Sequence, residues 1–190
     1  MRNKMKSTMR ETLSTILYLA GVVCVTLLII TYVGQRTSVE GTSMEPTLDD
    51  GDNLIVDKLT YRFQDPERFD IIVFPFQYEE KVFYIKRIIG LPGETVWIDE
   101  DGTIYVGESE DSLEVLTESY GKEVILPEKI GIASNPVTLG EDEYFVMGDN
   151  RNNSSDSRLP VVGNIHRDDI IGRAWLRIWP LDKFGVLKHQ

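Results

Sequence analysis

The sequence predicts an all-β domain that follows one N-terminal transmembrane helix. After residue 34, short segments rich in Val, Ile, Phe and Tyr alternate with turns rich in Gly, Pro and Asp, which is the composition of strands and their connections. No long amphipathic helical pattern interrupts this series. Before residue 34, one long apolar run carries no charged side chain. We therefore expect a mixed or antiparallel β-sheet, barrel-like in form, on a membrane stalk.

The apolar run at residues 12–33 is long enough to cross a bilayer. Its 22 residues cover roughly 30 Å at the helical rise, the thickness of the hydrocarbon core. The run is longer than the apolar part of a signal peptide, and no A-x-A-like cleavage site follows it, so we predict an uncleaved anchor. The positive-inside rule places the basic residues before it in the cytoplasm; these are Arg2, Lys4, Lys6 and Arg10.

This orientation divides the chain into three parts in the cell membrane. Residues 1–11 form a basic cytoplasmic tail, residues 12–33 a single transmembrane helix, and residues 34–190 an extracytoplasmic β-rich domain. Within that domain, residues 107–140 contain many acidic residues, two prolines and only scattered apolar pairs. We expect a loop-rich insertion there.

The strands of the domain can be placed in chain order. Residues 95–98 and 103–106 flank the turn sequence Asp99 to Gly102 and predict a hairpin. The remaining strands are predicted at residues 53–58, 70–74, 81–89, 143–147 and 170–179. Trp175 and Trp179 lie in the last of these, and their rings suit either a membrane interface or the core.

Charge and composition exclude several classes of function. The chain has 20 Lys and Arg against 31 Asp and Glu, whereas a nucleic-acid partner requires a basic face. The single cysteine, Cys24, lies inside the apolar run, so the outer domain has no disulfide, no thiol nucleophile and no cysteine-based metal site. The only histidines are His166 and His189, too few for a histidine-rich zinc site. We expect no metal and no cofactor.

Residues 41–48, GTSMEPTL, place a candidate nucleophile just after the apolar run. Pro46 biases Glu45 away from helix, so Ser43 lies in an extended or turning segment. A simpler interpretation is that Ser43 and Thr47 only cap a turn. A nucleophilic serine also needs a base within hydrogen-bond reach.

Lysine is the more consistent candidate for that base. His166 lies in a polar turn, where a solvated histidine is expected, and His189 is the penultimate residue. In the strand at 81–89, alternation places Lys86 on the face of Tyr84 and Ile88, among apolar neighbours. A buried ammonium is costly unless it is paired or deprotonated. Pairing with a carboxylate across the sheet or an edge position are the alternatives, but a nearby serine favours a neutral base.

Four segments resemble, in order, the signature boxes of type I bacterial signal peptidases. These are residues 43–48 (SMEPTL), 51–52 (GD), 84–94 (YIKRIIGLPGE) and 148–158 (GDNRNNSSDSR). Together with the anchor they extend over residues 12–180. The resemblance implies a membrane-bound serine endopeptidase with a Ser-Lys dyad. Its substrates would be the signal peptides of exported preproteins, cleaved after small residues at positions −3 and −1, and its partners would include membrane lipid. We expect a monomer.

The same resemblance implies roles for individual residues. Ser43 matches the nucleophile and Lys86 the general base, and Ser154 matches the serine that orients the lysine. Asp156 and Arg158 match a supporting ion pair, and Asp149 an acidic residue near the dyad. The wall of the substrate site is matched by Val39, Met44, Tyr84 and Ile85.

The oxyanion site departs from some members of the family. Gly41 stands where those members have a serine that donates to the oxyanion. The Ser43 N–H is the expected first donor, and the second would be a water or another backbone N–H.

Three other interpretations are open at this point. The outer domain could be an inert β domain on a stalk that binds a partner. A self-cleaving Ser-Lys protease similar to repressor-type β folds is the second, although the acidity of the chain does not suit a DNA-binding partner. Residues 148–158 could also be only a solvated loop, with N-x-S sequences at Asn152 and Asn153.

Overall fold

The computed structural model describes residues 2–32, 34–120 and 123–188. A single helix, α1 (Arg2–Tyr32), begins in the basic tail and continues through the apolar run. Its segment Arg10–Leu28 has a mean hydropathy of 1.8, is exposed, and is long and apolar enough to cross a membrane. Val33, the last residue of the predicted span, lies outside the described residues.

The strands follow the helix in two sheets. In chain order they are β1 (Gly34–Ser38), β2 (Asn53–Asp57), β3 (Ile71–Pro75), β4 (Phe83–Gly90), β5 (Thr95–Ile98), β6 (Ile104–Gly107), β7 (Glu114–Val115), β8 (Val137–Thr138), β9 (Glu143–Met147), β10 (Ile165–His166), β11 (Gly172–Trp179) and β12 (Gly185–Val186). The larger sheet has the order β1-β2-β11-β3-β4-β9-β10, with β12 beside β11, and the smaller has the order β7-β6-β5-β8. Every strand pair recorded is antiparallel.

Strand alternation distributes the apolar residues into three cores. Ile89 and Phe145 pack with the smaller sheet, whereas Ile88 and Val146, their neighbours along the same strands, pack on the opposite face. A third cluster lies beneath the segment that joins β1 to β2 and includes Met44, Leu48, Leu54 and Ile71. Full burial of a large aliphatic side chain stabilises the fold by about 1.5–3 kcal/mol, so this third cluster anchors the segment that carries Ser43.

The predicted all-β fold is confirmed, and the predicted strands lie within two residues of their expected ends. The hairpin is formed by β5 and β6. The mixed alternative is not observed, because the described strands pair only in the antiparallel sense. The strand β1 was not predicted, since its sequence GQRTS is polar and its place depends on backbone pairing with β2. The two-residue strands β7, β8, β10 and β12 were also not predicted.

Residues 107–140 contribute to a core as well as to the surface. They contain β7, β8 and three short 3-10 turns in the part of the segment that the structure describes. Ile125, Ile130, Ala133 and Leu139 from this segment are buried against the smaller sheet. The segment is therefore tied to the sheet by apolar packing.

The pairing of β4 leaves an opening in the larger sheet. Residues Phe83 to Arg87 pair with β3, but pairing with β9 begins only at Arg87. The first half of β4 thus has a neighbour on one side alone, and the outer edge of β1 is also unpaired among the described strands. The candidate site lies in this opening.

Candidate active site

The loop between β1 and β2 presents Ser43 on a closed frame. Two backbone hydrogen bonds join its ends, Val39 N to Asp52 O at 2.8 Å and Gly51 N to Val39 O at 2.9 Å. Met44, on the chain just after Ser43, is 1% exposed and holds the loop on the core. This arrangement leaves Ser43 half-buried at the rim of the opening.

Lys86 reaches Ser43 from the neighbouring strand β4. Its Nζ lies 2.7 Å from Ser43 Oγ and donates to the carbonyl oxygen of Ile85 at 2.9 Å. The side chain is 3% exposed. No carboxylate of the described residues forms a salt bridge with Lys86, so the alternative of an ion pair across the sheet is wrong.

Burial changes the proton affinity of this amine. Loss of solvation lowers the pKa of Lys86 from 10.5 to about 8, although the negative charges of Asp156 and Asp149 act in the opposite direction. Burial disfavours the charged form of a lysine, and here it outweighs the two carboxylates. A large fraction of the amine is therefore neutral near pH 8.

The polar run Gly148 to Arg158 wraps around the Ser43 loop. Asn150 N donates to Ser43 O at 3.1 Å, and Asn150 Nδ2 donates to Thr42 O at 3.0 Å. Gly148 lies so close that a Cβ added there would be 2.4 Å from Ser43 O and 2.3 Å from Ser154 Oγ. Only glycine fits at this approach. The run is thus part of the site, and the solvated-loop interpretation is wrong for its buried members.

Both carboxylates near Lys86 are held by arginines. Asp149 receives Arg87 Nε at 2.8 Å and Arg87 Nη2 at 2.6 Å, with both side chains at most 1% exposed. Asp156 receives Arg158 Nε and Nη2, each at 2.8 Å, and also the N–H of Gly148 at 3.0 Å. Two-point arginine contacts fix the orientation of a carboxylate as well as its charge.

A cleft of about 510 Å³ opens beside the dyad. One wall is formed by residues 37–43 and the other by residues 81–86, with Val73, Asn153 and Ser155 completing it. No cluster of three or more His, Cys, Asp or Glu in the described part of the chain could hold a metal. The cleft therefore presents a hydroxyl beside a buried amine whose pKa is lowered to about 8.

The sequence is similar to those of known proteins over most of its length. Residues 9–179 match the model of the family described as signal peptidase, peptidase S26. The chain belongs to this family.

The signal peptidase family includes several similar proteins. A probable signal peptidase I-2 of Synechocystis sp. is 40% identical over 162 residues, which cover 83% of this chain and 68% of that protein. Signal peptidase I of Bacillus licheniformis is 37% identical over 161 residues, 85% of each chain. A crystal structure of a signal peptidase I from Enterococcus faecalis V583 covers 58% of this chain and 97% of that chain, with 33% identity and a TM-score of 0.45. The predicted family is confirmed, and membership makes the chain a serine-type peptidase.

The residues that the signal peptidase resemblance implied occupy different positions in the site. Val39, Tyr84 and Ile85 line the cleft. Met44 does not line it and instead lies in the core cluster with Val39. The Ser154 hydroxyl is buried beside Gly148 and has no hydrogen-bond partner among the described residues. The Ser154 hydroxyl therefore does not hydrogen-bond to Lys86 in this structure.

His166 lies outside this arrangement. Its ring is 54% exposed and its Nδ1 lies 3.2 Å from Asp142 Oδ2, as expected for a surface histidine. His189 lies outside the described residues.

Sequence analysis missed several residues of the signal peptidase site. Arg87 and Thr47 both contact Asp149, while Asn150 and Asn153 bind the backbone and side chain of Thr42. The signal for Arg87 was available, because a cation next to Lys86 in a buried strand points to the other face and requires its own partner. The partner itself lies 62 residues away.

The pKa of Lys86 predicts a pH-dependent stability. Between about pH 8 and pH 10.5 the unfolded chain binds a proton at Lys86 that the folded chain has released, so stability rises with pH across this window. Lys86→Met removes this dependence. The free energy of unfolding of Lys86→Met minus that of wild type should therefore be more positive at pH 7 than at pH 10.5, by about 3 kcal/mol. Urea unfolding of both proteins in detergent measures it, and a difference that does not change with pH would contradict the lowered pKa.

Proposed function

We propose that this chain is a signal peptidase I that removes N-terminal signal peptides from exported preproteins, with Ser43 as the nucleophile and Lys86 as the general base. The observation that carries this proposal is the 2.7 Å separation between Ser43 Oγ and the buried Nζ of Lys86. A neutral amine has one lone pair and two N–H groups. With one N–H on Ile85 O, the lone pair can accept the proton of Ser43.

The first half of the reaction forms an acyl-enzyme. Ser43 Oγ bonds to the carbonyl carbon of the scissile peptide while its proton moves to Lys86 Nζ. The tetrahedral intermediate then collapses, the C–N bond breaks, and the ammonium returns the proton to the leaving amine. Lys86 is neutral again at this point and can activate the next nucleophile.

The second half repeats these steps with water. Lys86 takes a proton from water, the hydroxide bonds to the acyl carbon, and the ester bond to Ser43 Oγ breaks as the proton passes to that oxygen. The oxyanion formed in each half requires hydrogen-bond donors. The Ser43 N–H is the proposed first donor. The Gly41 N–H donates to Asp50 Oδ1 at 2.7 Å and is therefore not proposed as the second.

The opening between β1 and β4 suits a substrate in extended conformation. The hydrogen bonds Phe76 N to Val82 O and Ile88 N to Asp70 O mark the two ends of the β3–β4 pairing. Alternation between them directs the backbone groups of Phe83 and Ile85 away from β3 and toward the cleft. A peptide strand that adds to this edge would alternate its side chains between the cleft wall and solvent. Val39 and Ile85 close the wall next to Ser43, which favours small side chains at positions −1 and −3.

The surrounding polar residues support the dyad in this proposal. Asp156 and Arg158 fix the Gly148 N–H and hence the loop that contacts Ser43. Asp149 holds Thr47 and Arg87. Ser154, buried beside Gly148, is proposed to orient Lys86 through its hydroxyl once the substrate is bound. The similarity to signal peptidases favours this reading over the inert binding domain.

The membrane arrangement is part of the same proposal. The apolar segment of α1 anchors the chain, with residues 1–11 in the cytoplasm and the β domain outside. Trp175 and Trp179 are 42% and 54% exposed, so their interpretation as core residues is wrong. Leu181 and Phe184 are exposed on the adjoining chain, and we place this apolar surface at the bilayer interface.

Cleavage of a preprotein with Ala at positions −1 and −3 tests the dyad. Wild type should cleave it in detergent or lipid, and Ser43→Ala and Lys86→Ala should lose activity by several orders of magnitude because nucleophile and base act as a unit. Lys86→Arg should be equally inactive, since a guanidinium is not deprotonated. Ser134→Ala, which changes an exposed serine outside the cleft, is the matched control. Wild-type rates in Ser43→Ala or Lys86→Ala would exclude the dyad.

The pH profile of kcat/KM tests the protonation state of Lys86. The base acts only when neutral, and its pKa is lowered to about 8 by burial. Activity should therefore rise tenfold per pH unit below about pH 8 and level off above it. A limb that rises instead near the ordinary lysine value of about 10.4 would show that Lys86 is not buried in the working enzyme.

Reconstitution in lipid vesicles tests the membrane arrangement. Where the β domain faces outward, added protease should digest it and spare an N-terminal tag, and brominated lipid should quench the emission of Trp175 and Trp179. Trp97, on β5 of the smaller sheet, serves as the internal reference and should be quenched less. The orientation in the cell is tested in right-side-out vesicles prepared from cells. Digestion of the tag with protection of the β domain in those vesicles would reverse the proposed orientation.

A further inference from the structure

A segment of residues 107–140 lies directly behind the loop that supports Ser43. We define residues 116–120 and 123–126 as the outer wall. We propose that the outer wall is a positioning element for catalysis and that it acts through the ring of Tyr120, which holds the ion pair of Arg87 and Asp149. The inference rests on the proposed function and assigns a role to a segment outside the signature boxes.

The loop at residues 148–153 is enclosed between Ser43 and the outer wall. Its inner side binds the nucleophile loop through Asn150 and Asn153. On its outer side, Arg151 Nη2 contacts Glu118 Oε2 at 2.7 Å, and Leu126 N donates to Asn152 Oδ1 at 2.9 Å. The outer wall therefore limits how far this loop can move away from Ser43.

Tyr120 covers one face of the Arg87 guanidinium, a surface that carries no N–H group. The N–H edges of the guanidinium donate to Asp149 and, through Nη1, to Phe69 O at 2.9 Å. Its face lies 3.7 Å from the centre of the Tyr120 ring. The ring in turn meets Phe69 edge-on at 5.6 Å. A cation over an aromatic face is attracted more strongly where water is excluded, as it is around this 1%-exposed arginine.

The ion pair transmits this constraint to the nucleophile. Asp149 accepts a hydrogen bond from Thr47 Oγ1 at 2.5 Å, and Thr47 belongs to the same loop as Ser43. The neighbours of Asp149 in the chain, Gly148 and Asn150, both contact Ser43 O. A shift of Arg87 would consequently displace Asp149 and the position of Ser43 relative to Lys86. Acyl transfer is sensitive to errors of about 1 Å in such a position.

The hydroxyl of Tyr120 has no part in this role. Its oxygen is buried and makes no hydrogen bond with any residue that the structure describes. Burial raises the pKa of Tyr120, so the phenol is neutral and the ring face is the functional group. This distinguishes a stacking role from a role in proton transfer or hydrogen bonding.

Three substitutions at Tyr120 separate these roles in the preprotein cleavage assay on the full chain in detergent. Tyr120→Phe keeps the ring and should retain wild-type kcat and KM. Tyr120→Leu keeps much of the volume but loses the aromatic face, and Tyr120→Ala loses both. Each should lower kcat by about tenfold to a hundredfold with little change in KM, because Tyr120 does not line the cleft. Val115→Ala, which changes an exposed side chain on β7 outside the outer wall, is the control and should cleave as wild type.

Each result supports or overturns the inference. Wild-type kcat in Tyr120→Leu, equal losses in Tyr120→Phe and Tyr120→Leu, or a loss confined to KM would each exclude positioning by the ring. Rates are compared below the melting temperature of every variant, and Tyr120→Leu decides the case if Tyr120→Ala does not fold. Active wild type with unaffected variants overturns this inference alone, whereas an inactive wild type overturns the proposed function and this inference with it.

Discussion

The domain is organised around a lysine that is buried beside a serine and has no salt-bridge partner among the residues that the structure describes. Burial lowers the pKa of Lys86, but two carboxylates lie near enough to raise it. Each of those carboxylates is engaged at two points by its own arginine, Asp149 by Arg87 and Asp156 by Arg158. The arginines offset the negative charge at close range. The site therefore keeps the structural use of two buried aspartates without converting Lys86 into a permanent ammonium.

Neighbouring positions on β4 carry opposite electrostatic requirements. Lys86 faces the cleft, where the proposed role requires it to lose its proton, and Arg87 faces the opposite side, where its charge pairs with Asp149. Successive side chains of a strand point to opposite faces, so two adjacent residues can lie in these two different environments. Lysine and arginine are not interchangeable at either position, since only lysine has a pKa that burial can bring into the physiological range.

Much of the fold could be predicted from sequence because the core strands are apolar. The segments that became β4 and β9 were found from composition, and the burial of Lys86 followed from alternation along β4. The strand β1 was not predicted because its residues are polar, and its position depends on backbone pairing with β2.

The site was partly predictable because several of its residues lie close together in the sequence. The proposed nucleophile Ser43, the proposed base Lys86 and the ion pair of Asp156 and Arg158 lie within short sequence motifs, so the motifs indicate them. Contacts between distant segments were not visible, including those of Arg87 with Asp149 and with Tyr120. Met44 was misplaced for a different reason: an apolar side chain next to a nucleophile fits a pocket wall and a core equally well, and only the backbone direction of the loop decides between them.

The opening in the larger sheet affects how many different substrates the proposed peptidase could accept. The edge of β4 would bind a substrate through backbone hydrogen bonds, which any extended polypeptide can form. Most of the binding free energy would therefore not depend on the substrate sequence. Under the proposed function, discrimination would then come from Val39 and Ile85, whose side chains line the cleft next to Ser43. Such a surface would accept many unrelated extended chains and would not bind a strand that is already paired within a folded protein, since that strand has no free edge.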